Sequence, residues 1–91
     1  MAVFSQESLA RIEQAIPSYK ERFFLTPDLI SMSFTYGERL EIYADKDGYL
    51  CVNQGERSVR QMRFSDEEAA VAYFIRFIPL AVNTYAHEDD P

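Results

Sequence analysis

The segment Asp45-Lys46-Asp47-Gly48 combines acidic residues with a glycine, so it invites comparison with a calcium-binding loop. A loop of the EF-hand type has its glycine at position six and requires carboxylates at positions one and twelve. In this chain those two positions hold Tyr43 and Gln54, neither of which supplies a carboxylate. The segment instead predicts a tight hairpin turn, because Asp and Gly tolerate the positive φ angles that such turns require.

Cys51 and His87 are the only cysteine and the only histidine, so together they form the one combination that could supply a thiol nucleophile. Cys51 falls within a predicted strand and His87 in an acidic tail, which indicates a packed cysteine and a solvated histidine. Zinc requires three or four suitably spaced ligands, which the chain does not offer. We therefore expect no metal site. We also expect no cofactor, since the three glycines separate strands and form no phosphate-binding loop.

The charged residues indicate neither a reaction centre nor a nucleic-acid site. Asp and Glu fall mostly at turns, helix starts and the tail, so no acidic pair lies in a predicted pocket. Arg57, Arg60 and Arg63 form a basic cluster, but strand periodicity separates Arg60 from the other two. The formal net charge of -6 disfavours nucleic acid, which needs a concentrated basic surface. The sequence thus predicts no catalytic residue, and we expect a protein that is not an enzyme.

A first helix is predicted near the N-terminus. Ser5 can cap it, and apolar residues then recur every three or four positions from Leu9 to Phe23. Pro17 interrupts this pattern, which predicts either a kink or two short helices. Thr26-Pro27-Asp28 closes the helical region.

A second helix is predicted from residue 65. Ser65 and Glu68 have the spacing of a capping box, and Pro79 bends or ends the helix, although the tail can prolong it. Its apolar face consists of Val71, Phe74, Ile75 and Ile78, which follow helical spacing. These residues are expected to pack in the core.

Four short strands are predicted between the helices, at residues 29–36, 40–44, 49–53 and 57–64. Tight turns join them, which favours an antiparallel meander. The predicted fold is α+β with the order α-β-β-β-β-α, in which both helices pack on one sheet face as a two-layer sandwich. Leu50 and Val52 are expected to point toward the helices. The other face would be open and would carry Ser31, Ser33, Thr35, Glu41, Tyr43, Tyr49, Cys51 and Asn53.

Length and composition favour one domain over residues 1–91. A chain of this size can bury a single core, and its 47% hydrophobic content argues against disorder. One cysteine favours a reducing compartment. The charged N-terminus does not fit a signal peptide, and no apolar run approaches the ~20 residues of a membrane span. We expect a cytoplasmic protein that does not enter membranes.

Two segments, Gly55-Glu56-Arg57 and Arg63-Phe64-Ser65-Asp66-Glu67-Glu68-Ala69-Ala70, resemble small bacterial immunity proteins of polymorphic toxin and contact-dependent inhibition systems. Several such families have a strand with a Glu-Arg pair, a strand ending in Phe-Ser/Thr-x-Glu, and an Ala-rich aromatic helix. The resemblance covers residues 43–78, and the chain departs from many of these proteins in lacking tryptophan. It implies a cytoplasmic protein without catalytic residues that binds a cognate toxin domain and occludes its active site.

The acidic charge independently favours a basic protein partner, which would be a toxin domain if the resemblance holds. The predicted partner-binding residues lie on the open face and its turns: Glu41, Tyr43, Asp45, Asp47, Tyr49 and Glu56. An alternative is a structural or regulatory interaction subunit, either monomeric or a homodimer formed through the same face. An enzyme or small-ligand binder would require a polar cavity between the helices and the sheet.

Overall fold

The computed structural model describes residues 3–17, 23–34, 37–55 and 57–89, and side chains as far as residue 84. The described residues form an α+β fold with two helices and one five-stranded antiparallel sheet. In chain order the elements are α1 (Gln6–Ala15), β1 (Phe23–Leu25), β2 (Leu29–Ser33), β3 (Arg39–Asp45), β4 (Gly48–Gln54), β5 (Val59–Phe64) and α2 (Glu67–Asp89). Each strand pairs with its neighbour in sequence, which confirms the meander but adds one strand to the four predicted.

The additional strand is β1, which was predicted to be helical. The first helix ends at Ala15, because Ile16 precedes Pro17 and adopts the extended backbone that a following proline favours. The Thr26 hydroxyl accepts a hydrogen bond from the Leu29 N–H (3.1 Å) and donates one to the Leu29 carbonyl (2.7 Å). Thr26-Pro27-Asp28 therefore turns β1 into β2, and Phe23 belongs to a strand. The predicted helical residues 18–22, including Tyr19, lie outside the described residues.

The cap of α2 is Asp66, so the predicted capping box at Ser65 is wrong. The Asp66 carboxylate accepts a hydrogen bond from the Ala69 N–H at 2.9 Å, which is the usual contact of an N-cap residue. Glu68 reaches Arg11 of α1 instead, at 2.7 Å. The helix continues through Pro79 to Asp89, so the tail prolongs it as one of the two predictions had it.

The core lies between one face of the sheet and both helices. It includes Ile12 of α1, which is fully buried, and Val71, Phe74 and Ile78 of α2, as predicted. Ile75 is only partly buried. The sheet contributes Ile30, Met32, Leu40, Ile42, Ala44, Tyr49 and Cys51. This arrangement confirms the two-layer packing with both helices on one face.

The facing of β4 is the reverse of the prediction. Asp45 pairs with Gly48 across a two-residue turn, so Tyr43 lies opposite Leu50 and Ala44 lies opposite Tyr49. Directly opposed residues share a sheet face. Tyr49, Cys51 and Asn53 therefore face the helices, whereas Leu50 and Val52 lie on the other face with Glu41 and Tyr43.

Neither helix within the described residues combines the length and the apolar character needed to cross a membrane.

Candidate functional site

The sheet face opposite the helices, here called the open face, is covered by neither helix in the described part of the chain. Strand register places on it Phe24, Leu29, Ser31, Ser33, Arg39, Glu41, Tyr43, Asp45, Leu50, Val52, Gln54, Val59, Gln61 and Arg63. Ser31, Ser33, Glu41 and Tyr43 are on this face as predicted, while Thr35 lies outside the described residues.

Glu41 lies at the centre of a polar network on the open face. Its carboxylate accepts hydrogen bonds from the Ser31 hydroxyl at 2.9 Å and from the Tyr43 hydroxyl at 2.6 Å. The Arg39 guanidinium lies 3.0 Å from the same carboxylate. Although no helix covers it, Glu41 is only 8% exposed, so its neighbours shield it from water. The hydrogen bond to Glu41, with burial, raises the pKa of Tyr43.

The hydrogen bonds hold the side chains around Glu41 in place, and little of the Glu41 carboxylate itself is left exposed to a partner. Hydrogen bonds to a charged acceptor are stronger than those between neutral groups. The donors Ser31, Arg39 and Tyr43 lie on β2 and β3, at positions that the sheet places next to Glu41. The presented groups are therefore the Tyr43 ring and the Arg39 guanidinium. Glu41 organises them from within the face.

Apolar side chains flank the network. Val52 lies beside Glu41 and is buried, and Leu50 lies opposite Tyr43. Phe24 on β1 and Val59 on β5 are 65% and 55% exposed, at the two edges of the same face. The open face thus combines a hydrogen-bonded polar network with exposed apolar side chains on its two edge strands.

The hairpin between β3 and β4 borders the open face. Arg63 of β5 donates two hydrogen bonds to the Asp45 carboxylate, at 2.9 and 3.1 Å, and the Asp47 N–H donates a third at 2.8 Å. The bond from Arg63, followed by that from Asp47, holds the pKa of Asp45 below its usual range. Arg63 thus balances the negative charge of Asp45. The Asp47 side chain stays exposed at the tip of the hairpin.

Acidic residues collect at one end of the molecule, here called the acidic end. The β1–β2 turn, the β3–β4 turn and the starts of both helices meet there, because Phe4 N–H bonds Pro27 O (2.7 Å) and Ala44 N–H bonds Asp28 O (2.9 Å). The acidic residues at this end are Glu7, Asp28, Asp47, Asp66, Glu67 and Glu68. By contrast Arg39, Arg57 and Arg60 lie toward the opposite end of the sheet.

Glu67 of the acidic end supports the N-cap of α1, which is Ser5 as predicted, since the Ser5 hydroxyl accepts a hydrogen bond from the Ser8 N–H at 3.2 Å. Its carboxylate accepts hydrogen bonds from the Ser5 N–H and the Ser5 hydroxyl, both at 2.9 Å, and a short one from the Ser8 hydroxyl. The Ser8 bond, with those from Ser5, lowers the pKa of Glu67. A polar cleft lies between the two helix starts and is lined by Ser5, Ser8, Arg11, Glu67 and Glu68, among others. Its hydrogen bonds join α1 to α2, so the cleft is a structural junction.

The structure does not bring all of the predicted partner-binding residues together. Glu41 and Tyr43 are neighbours on the open face, and Asp45 and Asp47 lie in the adjoining hairpin. Tyr49 is wrongly placed by the prediction: it is 7% exposed and packs against Phe4, with ring centroids 5.2 Å apart. Its hydroxyl donates to the Val3 carbonyl at 3.4 Å, so it belongs to the core. Glu56 lies outside the described residues.

Leu50, Val52 and Phe24 are among the members of the open face that the sequence reasoning missed. The signal for the first two was present, because a two-residue turn at Lys46-Asp47 places Leu50 opposite Tyr43. Phe24 was assigned to the end of a helix, and only its pairing with Ser31 reveals the strand.

Cys51 has the properties of a structural residue. It is 2% exposed, burial raises its pKa to about 12, and its thiol lies 3.9 Å from the Ala70 carbonyl. A thiol with such a pKa remains protonated at neutral pH. The His87 side chain lies outside the described part. Among the residues that the structure describes, no three His, Cys, Asp or Glu side chains are grouped to hold a metal ion.

Comparisons with protein-family models, curated proteins and solved structures give no match for this chain.

Proposed function

We propose that this chain is a protein-binding module that inhibits a bacterial toxin domain by covering its active site, and that the open face is the contact surface. The observation that carries this proposal is the rigid network of Ser31, Arg39, Glu41 and Tyr43 on a face that neither helix covers. An inhibitor by occlusion needs such a preorganised surface and no chemistry of its own.

The exposed apolar residues support the same role. Phe24 and Val59 are both more than half exposed. Burying such side chains against a partner stabilises a complex, and aromatic residues often contribute most. The polar network would then determine how the partner is positioned, because the partner must form hydrogen bonds with the outward-facing groups of Arg39 and Tyr43.

Charge favours a basic partner. The chain has a formal net charge of -6, and the acidic end adjoins the open face through Asp47 at the hairpin tip. A toxin domain that acts on nucleic acid presents a basic active-site cleft, because phosphates require one. Attraction between the acidic end and such a cleft would speed encounter and orient the inhibitor.

A growth-protection experiment tests the inhibitory role. The C-terminal domain of the protein encoded directly upstream would be expressed from an inducible promoter, alone or together with this chain. The proposal predicts growth arrest by the domain alone and recovery when the chain is present. An unrelated acidic protein of similar size serves as the control, since it should not protect.

Arrest without recovery, or a neighbouring gene whose product causes no arrest, would count against the inhibitory role. If the wild-type chain restores growth and a chain carrying both Phe24→Asp and Tyr43→Ala protects equally well, the inhibitory role stands. The open face is then not the contact surface.

A further inference from the structure

The outer edge of β5 is a second surface with the properties of a binding site. Within the described part of the chain β5 pairs only with β4, and nearly all of its side chains are exposed. Val59, on the open face, and Met62, on the helix side, are 55% and 46% exposed. The edge thus combines free backbone groups with exposed apolar surface.

The direction of the backbone groups follows from the β4–β5 turn. The Gly55 N–H donates to the Ser58 carbonyl at 2.8 Å, which makes these two residues a hydrogen-bonded pair. Along an antiparallel ladder, hydrogen-bonded pairs alternate with pairs that are not hydrogen-bonded to each other. Arg60 and Met62 therefore direct their backbone groups toward β4, whereas Val59, Gln61 and Arg63 direct theirs outward. Three consecutive outward positions can pair with an added strand.

The charges on this edge discriminate among possible strands. Arg60 and Met62 project on the helix side, and Arg60 forms no ion pair with any described residue. Arg63 projects on the open face and is bonded to Asp45. A second copy of β5 would offer Arg60 no carboxylate, because Val59–Phe64 contains none, so a strand of another protein that carries one fits this edge better.

We propose that the β5 edge binds an extended strand of another protein by antiparallel strand addition, and that this strand carries a carboxylate opposite Arg60 and an apolar side chain opposite Met62. The backbone ladder supplies affinity, and the two helix-side positions supply selectivity. This inference concerns the backbone edge of β5 and its helix-side residues Arg60 and Met62, whereas the inhibitory role proposed above uses the open face, with which the edge shares Val59.

A synthetic peptide tests the proposal directly. The capped pentapeptide Thr-Val-Thr-Glu-Val, aligned antiparallel, places Glu opposite Arg60 and the first Val opposite Met62. Amide NMR spectra of the full chain would be recorded with increasing peptide. The amides of Val59, Gln61 and Arg63 are expected to shift most. Methylation of the central Thr nitrogen should abolish the shifts, because it removes a donor that faces the β5 edge.

A charge exchange separates strand addition from unspecific contact. Replacing the peptide Glu by Lys should weaken binding several-fold, and the Arg60→Glu variant should reverse that preference. Arg76→Glu is the matched control, since it makes the same charge change at an exposed position of α2, outside β5, and should keep the original preference.

Three results would overturn the proposal. The first is the absence of edge shifts at millimolar peptide, and the second is equal binding of the Glu and Lys peptides. The third is a shift of the edge amides with protein concentration alone, which would identify a second copy as the occupant.

Discussion

At the scale of single residues, the carboxylates that determine this structure are those with partners inside the chain. Glu41, Asp45 and Glu67 are each held by at least two donors. The sequence suggested that Glu41 and Asp45 act as partner-binding charges, because spacing cannot show that Arg39 and Arg63 lie beside them. Glu67 was even less predictable, since its partners Ser5 and Ser8 are 62 and 59 residues away in the chain.

Glu67→Gln should destabilise the fold by about 1–2 kcal/mol at pH 7, because the charged acceptor for Ser5 and Ser8 is lost. The pKa of Glu67 is lowered in the folded chain. Its contribution is therefore present above the unfolded value of about 4.3 and disappears as pH falls through the folded pKa. Urea unfolding at pH 7 and at pH 3 measures both effects, and the wild-type advantage should shrink at the lower pH.

Glu68→Gln is the matched control for that measurement. Glu68 is a neighbouring carboxylate in an exposed ion pair with Arg11, so its loss should change stability by less than about 1 kcal/mol. Equal losses in the two variants would show that Glu67 does not stabilise the Ser5 cap of α1.

At the scale of elements, the sequence predicted what depended on local pattern and missed what depended on pairing. The apolar spacing of α2 identified Val71, Phe74 and Ile78 as core residues because helical periodicity is a local property. β1 has only three residues and takes its strand conformation from pairing with β2, which no local pattern shows. The facing of β4 could have been predicted, because the two-residue turn determines which residues lie opposite each other.

The β3–β4 hairpin depends on glycine at position 48. Gly48 has φ +118, and a Cβ atom added there would overlap the Phe64 carbonyl at the end of β5. Gly48→Ala should therefore cost about 2–4 kcal/mol, from backbone strain together with the overlap. Equilibrium unfolding in urea measures this cost.

Gly37→Ala isolates the strain. Gly37 also has a positive φ, +89, but an added Cβ would have nothing within 4 Å. The expected cost is about 1–2 kcal/mol. If Gly48→Ala proved no worse than Gly37→Ala, the close approach of β4 to the end of β5 would be refuted.

Pro79 should be the weakest position of α2. A proline within a helix removes one backbone hydrogen bond, yet the helix continues and buries Ala81 and Val82 beyond it. Pro79→Ala is expected to stabilise the protein by about 2 kcal/mol, since the hydrogen bond is restored at an exposed position. Thermal unfolding measures the gain. Leu80→Ala should be nearly neutral, and a destabilising Pro79→Ala would contradict this account of α2.

At the scale of the whole molecule, the core, the polar network and the acidic residues occupy different surfaces. One sheet face is committed to the core, the open face carries the rigid network, and the turns bring the acidic residues to one end. The net charge was visible in the sequence, but its concentration at one end arises from the meander, which returns alternate turns to the same side. Association with a basic partner should therefore slow markedly as salt is raised, which stopped-flow measurements would show.

Calorimetric titration of the proposed toxin partner with open-face variants tests whether the open face is the contact surface. Phe24→Asp places a charge on the open face, while Leu80→Asp places one on an exposed leucine of α2; the two side chains are 65% and 55% exposed. Phe24→Asp is expected to weaken binding at least about tenfold, because Phe24 would be buried in the complex. Leu80→Asp is expected to bind like the wild type. Equal affinities for the wild type and Phe24→Asp, with a loss in Leu80→Asp, would contradict this expectation.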